Sequence, residues 1–233
     1  MQNKIKIIIP TVDDEFEILQ EEINTIPWYQ EQGYQIKLPQ SPHFQKYWDN
    51  PELIKTINFK SLFTIFKQDI YNKDSYQNGY QLLSSNLDII VKAINYFTLL
   101  KKKWCFKTFA TYQIRLTQYG PGGFYSYENG TIFMQVNTDD SFAELDPVGT
   151  VLHEIVHIGI EESIIQKYAL NHWEKERLVD LICQQYLQNF LPNYQLQKNG
   201  NKMLDDYFNI SDFTISLPNI IERYLMKHPR ATN

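Results

Sequence analysis

A chain of 233 residues is long enough to bury a sizeable core as one compact domain or two closely packed lobes. Hydrophobic residues make up 43% of it and aromatics 15%, which excludes an intrinsically disordered chain. The formal net charge is −5 and the main basic run, Lys101-Lys102-Lys103, reads as the solvated end of a helix, so nucleic acid is not an expected partner.

Residues 4–9 read as a strand ended by Pro10. The stretch from Met1 to Asp14 has no apolar run of signal-peptide length, and no segment reaches the roughly 18 apolar residues of a membrane span. A cytoplasmic protein without a membrane partner is therefore expected. Pro27, Pro39 and Pro42 punctuate an aromatic stretch up to about Trp48, which reads as irregular. A helical pattern then runs from Pro51 through Phe66, with Leu53, Ile57, Leu62 and Phe66 inward. A longer helix is expected from Tyr76 to Lys102, burying Leu82, Leu83, Leu87, Ile90, Val91, Ile94 and Phe97. Residues 1–103 thus form a mainly helical N-terminal lobe, read as scaffold without chemistry.

The pattern changes at Trp104, where residues 104–233 begin a second part, closely joined to the first. Cys105 and Cys183 are the two cysteines, and their contexts suit buried free thiols rather than a disulfide. Thr108 to Tyr119 alternates like a strand and is broken by Gly120-Pro121-Gly122-Gly123. No helix follows that glycine run and no Lys-Ser/Thr closes it, so it reads as a turn or flap rather than a nucleotide loop. Phe124–Glu128 and Thr131–Asn137 flank Asn129-Gly130, a strong hairpin signal, with Ile132, Met134 and Val136 toward the core. Asp146-Pro147 then offers an N-cap and a first-turn proline for a helix to at least Ser163. Asn171 and Glu174 have the spacing of a capping box, opening a second helix to about Leu191. A last helix is expected over Pro218–Lys227.

The chemistry concentrates at His153-Glu154-Ile155-Val156-His157. Helix positions i and i+4 share a face, so both imidazoles can converge on one ion while Glu154 projects alongside, as in His-Glu-x-x-His zinc hydrolases. Along the following helix Trp173, Glu176, Asp180, Cys183 and Leu187 make one stripe, which puts two carboxylates among inward-facing residues. Buried carboxylates are costly unless paired or metal-bound, which favours a ligand role for Glu176.

The pattern His153-Glu154-x-x-His157, eighteen residues, then Glu176-x-x-x-Asp180 resembles the gluzincin class of zinc metallopeptidases, which includes thermolysin-like enzymes and the large zinc aminopeptidases. The resemblance covers residues 147–190, with an upstream strand as the substrate-binding edge. It implies His153, His157 and Glu176 as ligands of Zn2+, Glu154 as general base and Asp180 as the group that orients His153. It also implies an α+β fold with a zincin-like core: a small antiparallel or mixed sheet, an active-site helix and a second ligand-bearing helix. Glu161, Glu162, Glu174 and His172 are the other acidic or imidazole groups near enough in sequence to serve as third ligand. For an oxyanion donor beyond the third ligand, Tyr207, Tyr224 and His228 are the candidates. A metzincin would need glycine and histidine where Ile160 and Ser163 stand, and Trp104-Cys105-Phe106 does not match the cysteine motif of peptide deformylase.

These residues suit hydrolysis of a peptide or protein substrate. Two neutral imidazoles and one carboxylate leave zinc net positive with a place for water, whose pKa falls to about 7. Glu154 can take the proton and pass it to the leaving amine. The alternative is a zinc-binding protein with a structural or partner-binding role and no catalysis, in which Glu154 would have no task as a base.

Overall fold

The computed structural model describes residues 4–137, 146–208 and 216–229, and opens on the expected N-terminal strand, β1 (Lys4–Ile8). The stretch that follows is not irregular. It holds a 21-residue helix, α1 (Val12–Gln32), and a shorter one, α2 (Pro42–Asp49). The local signals for α1 are present in the sequence. Thr11 and Asp14 close a reciprocal capping box, and Gly33 ends the helix in the left-handed conformation at φ 78°. Pro27 lies inside α1, at a cost of about 3 kcal/mol for a proline in a helix interior. Full burial of Ile23 and Ile26 in the preceding turn offsets it.

The expected helix from Pro51 to Phe66 is divided into a 3-10 turn (Pro51–Thr56), α3 (Phe59–Ile65) and a π-helical turn (Phe66–Ile70). Leu62 and Phe66 are buried as expected, but Leu53 is 38% exposed. The next helix is also broken, into α4 (Gln77–Ser85) and α5 (Leu87–Phe97), followed by a 3-10 turn and the short α6 (Lys101–Trp104). Leu83, Ile90, Ile94 and Phe97 keep one helical stripe across the break at Asn86 and reach the core, whereas Leu82 lies off that stripe and is 45% exposed.

Three further strands, β2 (Thr111–Thr117), β3 (Gly123–Ser126) and β4 (Thr131–Gln135), join β1 in one mixed sheet of order β1-β2-β4-β3. β1 and β4 both run parallel to β2, and β3 returns antiparallel to β4 through the expected hairpin. At that turn Gly130 takes φ 70° and the Asn129 side chain accepts from the Thr131 N–H at 3.1 Å. Ile132, Met134 and Val136 are buried as their alternation predicts, and β3 forms an edge of the sheet.

α7 (Pro147–Ile160) lies against β3 and β4. It begins as expected, with the Asp146 carboxylate accepting from the Gly149 N–H at 2.9 Å and Pro147 in the first turn, and it runs on as a π-helical turn through Gln166. Two glycines permit its close seat. A Cβ on Gly159 would stand 2.0 Å from the Phe106 ring, and one on Gly123 of β3 would stand 2.6 Å from Thr150 Cγ2. α8 (His172–Leu181) starts on the expected Asn171/Glu174 capping box and continues as a π-helical turn to Tyr186. α9 (Leu217–Lys227) closes the described chain.

The main core joins the sheet, α5, α7, α8 and α9, whereas a second apolar cluster centres on α1 with Phe44, Leu62, Phe66 and Tyr119. Of the two cysteines, Cys183 is buried, but Cys105 is exposed in a left-handed backbone conformation at φ 54°. Among the described residues no helix is long and apolar enough to cross a membrane.

Candidate metal centre

His153 and His157 lie one turn apart on α7, and both side chains are buried. Their Nε2 atoms face each other at 2.9 Å. Glu176, from the middle of α8, brings Oε2 to 3.3 Å from His153 Nε2 and 3.4 Å from His157 Nε2. The three atoms form a nearly equilateral triangle. Donors about 2.0–2.2 Å from a tetrahedrally bound zinc stand about 3.3–3.5 Å apart, so the two sides to Glu176 already have the dimensions of a His-His-carboxylate face, and the 2.9 Å between the imidazole nitrogens would open by about 0.4 Å around an ion. The sequence-predicted trio is thus brought together, and these residues can hold a metal ion.

The sequence spacing did not show how the triangle is held. Asp180, expected to orient His153, has its Oδ1 3.6 Å from His153 Nδ1. The Tyr194 hydroxyl fills the gap, 2.6 Å from His153 Nδ1 and donating to Asp180 Oδ1 at 2.9 Å. A hydroxyl that gives its proton to a carboxylate accepts from the imidazole Nδ1–H, so with a metal bound His153 would offer its Nε2 lone pair to the ion. Gln197 completes the support. Its backbone N–H donates to Asp180 Oδ2 at 2.6 Å and its side-chain amide to Glu176 Oε2 at 3.1 Å. His157 is braced differently: the Tyr125 ring of β3 stacks on it at 4.9 Å between centroids, inclined by 12°.

The two oxygens of Glu176 have separate surroundings. Oε2 faces the imidazoles, whereas Oε1 lies 3.5 Å from Lys175 Nζ and 3.9 Å from His172 Nδ1. His172 is therefore beside the triangle but outside it, and its Nε2 is 2.7 Å from the Tyr34 hydroxyl. Tyr34 follows α1, and its phenol is held above its ordinary pKa by burial and by the charges of Glu176, Glu154 and Asp180. The N-terminal region, expected to be mostly scaffold, thus also reaches the edge of the site through Tyr34.

Of the other third-ligand alternatives, Glu161 accepts from Tyr125, Glu162 pairs with Lys107, and Glu174 is engaged by the capping box and by Tyr224. Tyr224 is thereby committed to Glu174, and the Tyr207 hydroxyl contacts His228 Nε2 at 3.3 Å. The hydrogen bonds that define the triangle thus involve none of Tyr207, Tyr224 and His228, the residues expected to offer an oxyanion donor.

Charge follows this geometry. Burial alone would raise the Glu176 carboxyl, but His157 and His153 hold it well below the ordinary carboxylate range. Burial pushes His157 down to about 3, whereas His153, although burial opposes it, is raised well above the ordinary imidazole value by hydrogen bonds to Cys183 and Glu176 and by the Glu154 charge, so a metal ion would have to displace a proton there. Glu154 is buried beside the triangle, with its carboxylate against Gly123 of β3. Burial raises it to about 7, against the pull of His153 and with the repulsion of Glu176.

Tyr194, Gln197, Lys175 and Tyr34 were not found by sequence reasoning. Only Lys175, as a neighbour of Glu176, carried any local signal, because the others arrive from distant parts of the chain. No protein-family model, curated protein or solved structure matches this chain, so the arrangement of these side chains is what speaks for its function.

Proposed function

We propose that this protein is a zinc-dependent metallopeptidase of the gluzincin kind, with His153, His157 and Glu176 as the metal ligands and Glu154 as the general base. The observation that carries the reading is the buried triangle of two imidazole nitrogens and one carboxylate oxygen, at 2.9, 3.3 and 3.4 Å, with a second buried carboxylate, Glu154, next to it in the chain. Zinc held there would supply the positive charge that lowers the pKa of a water to about 7 and polarises a carbonyl.

The chain's own residues supply the rest. A peptide adding to the free edge of β3 would lie next to Glu154, because the Gly123 backbone approaches that carboxylate without a side chain between them. Glu154 takes the proton of the attacking water as the new C–O bond forms. It returns that proton to the amine nitrogen as the C–N bond breaks. Tyr194 and Asp180 keep His153 in one tautomer throughout.

The test measures metal content and hydrolysis together. The purified protein is expected to carry about one zinc per chain, and His153→Ala to lose it. Glu154→Gln should retain zinc and lose hydrolysis of a mixed peptide library, typically by a factor of about 10²–10⁴ for a general base. Loss of zinc in Glu154→Gln, or hydrolysis that survives it, would refute the assigned role. A zinc-loaded wild type that cuts no peptide in the library would favour a structural or partner-binding site instead.

A further inference from the structure

Lys175 is not needed to form the triangle, yet it is aimed into the site. Its Nζ stands 3.5 Å from Glu176 Oε1 and 3.5 Å from the Tyr125 hydroxyl, and 5.5 Å from the centre of the Tyr125 ring. Both polar contacts are at the outer limit of a hydrogen bond, and an ammonium has three donors. The Tyr125 hydroxyl gives its own proton to Glu161 at 2.7 Å. The Lys175 side chain is 20% exposed, so it is partly sheltered without being sealed from solvent. It also has a defined position, between α8 and the edge strand β3 that carries Tyr125.

A divalent cation facing Glu176 Oε2 would leave Lys175 next to an added positive charge, with Glu176 Oε1 its nearest anion. An incoming carboxylate would relieve that repulsion and take up the loosely used donors. We propose that Lys175 is a specificity-determining residue that anchors a carboxylate of the substrate, close to the bond to be cut. The proposal rests on the metallopeptidase reading and narrows it to peptides with an anionic group in that place. A C-terminal carboxylate and an aspartate or glutamate side chain offer the same chemistry.

The test uses the full-length protein loaded with cobalt(II) and four probes that share a malonyl hydroxamate head. The probes end in alanine as free acid, alanine amide, glutamate amide or glutamine amide, and binding is followed by the change in cobalt absorption, without turnover. In the wild type, at least one carboxylate probe is expected to bind about five- to tenfold tighter than its neutral counterpart. Which pair shows the gap, alanine acid against amide or glutamate against glutamine, identifies the source of the carboxylate. The gap should shrink at high salt, vanish in Lys175→Met and persist in Lys175→Arg. Equal affinities within both pairs in the wild type would overturn the proposal. So would a Lys175→Met protein that binds cobalt and all four probes more weakly by one common factor, since Lys175 would then serve Glu176 alone. A wild type that takes up no cobalt would overturn the metal reading itself, and this proposal with it.

Discussion

Tyr194→Phe removes one oxygen atom and leaves the ring, so it isolates the bridge between His153 and Asp180. That oxygen stands 2.6 Å from His153 Nδ1 and 2.9 Å from Asp180 Oδ1, with the buried Cys183 thiol also beside it. Without it the imidazole and the carboxylate face each other at 3.6 Å, too far for a good hydrogen bond, while Asp180 keeps the Gln197 N–H at 2.6 Å. Loss of such a supporting partner typically weakens a metal site about 10–100-fold, or about 1.4–2.8 kcal/mol. Zinc affinity measured by competition with a chromophoric chelator should fall by that factor. Asp180→Ala should cost a similar amount, and the double variant little more, because the two groups act as one relay. An affinity within about threefold of wild type in Tyr194→Phe, with Asp180→Ala still strongly impaired, would refute the bridge and return the role to Asp180 alone.

Glu15, fully buried on α1, accepts from the Gln118 N–H at 2.7 Å and the Thr117 hydroxyl at 3.1 Å, and burial raises its carboxyl from 4.5 to about 7. The folded state therefore holds a proton that the unfolded state has lost between about pH 4.5 and 7, so its contribution is complete below that window and is lost as pH rises through it. Urea denaturation across the window should show Glu15→Gln gaining on the wild type by up to about 3 kcal/mol; parallel curves would refute the linkage. Gly123→Ala would place a Cβ 2.6 Å from Thr150 Cγ2 and 3.0 Å from Glu154 Oε1. It should lower stability by about 1–3 kcal/mol and impair hydrolysis, with partial recovery of stability when Thr150→Ser removes the clashing methyl. If the triangle binds zinc, the melting temperature should rise with zinc and fall with a chelator, the gain reaching about 4 kcal/mol at a thousandfold excess over the dissociation constant. His153→Ala should show no such response.

Some features were legible because they are local. The i, i+4 spacing of His153 and His157, the Asn171/Glu174 capping box and the Asn129-Gly130 turn each depend on residues within one turn of chain, and each is present. α1 had equally local signals at Thr11, Asp14 and Gly33, but Pro27 made the stretch read as irregular, because a proline's cost is visible in sequence and the burial that offsets it is not. The exposure of Leu53 and Leu82 is a similar case, since an apolar residue near a helical stripe does not by its type show whether a neighbour covers it.

The chain by itself determined the chemistry available: two imidazoles on one helical face, a glutamate beside them and inward carboxylates on the following helix. Tertiary structure decided which atoms meet. It chose Glu176 Oε2 as the third corner, placed the Tyr194 hydroxyl between His153 and Asp180, and carried Tyr34 across 138 positions to His172. The physical reason is range: helical periodicity and capping act over a few residues, whereas these contacts exist only after α1, α7 and α8 have buried their apolar faces in the two cores.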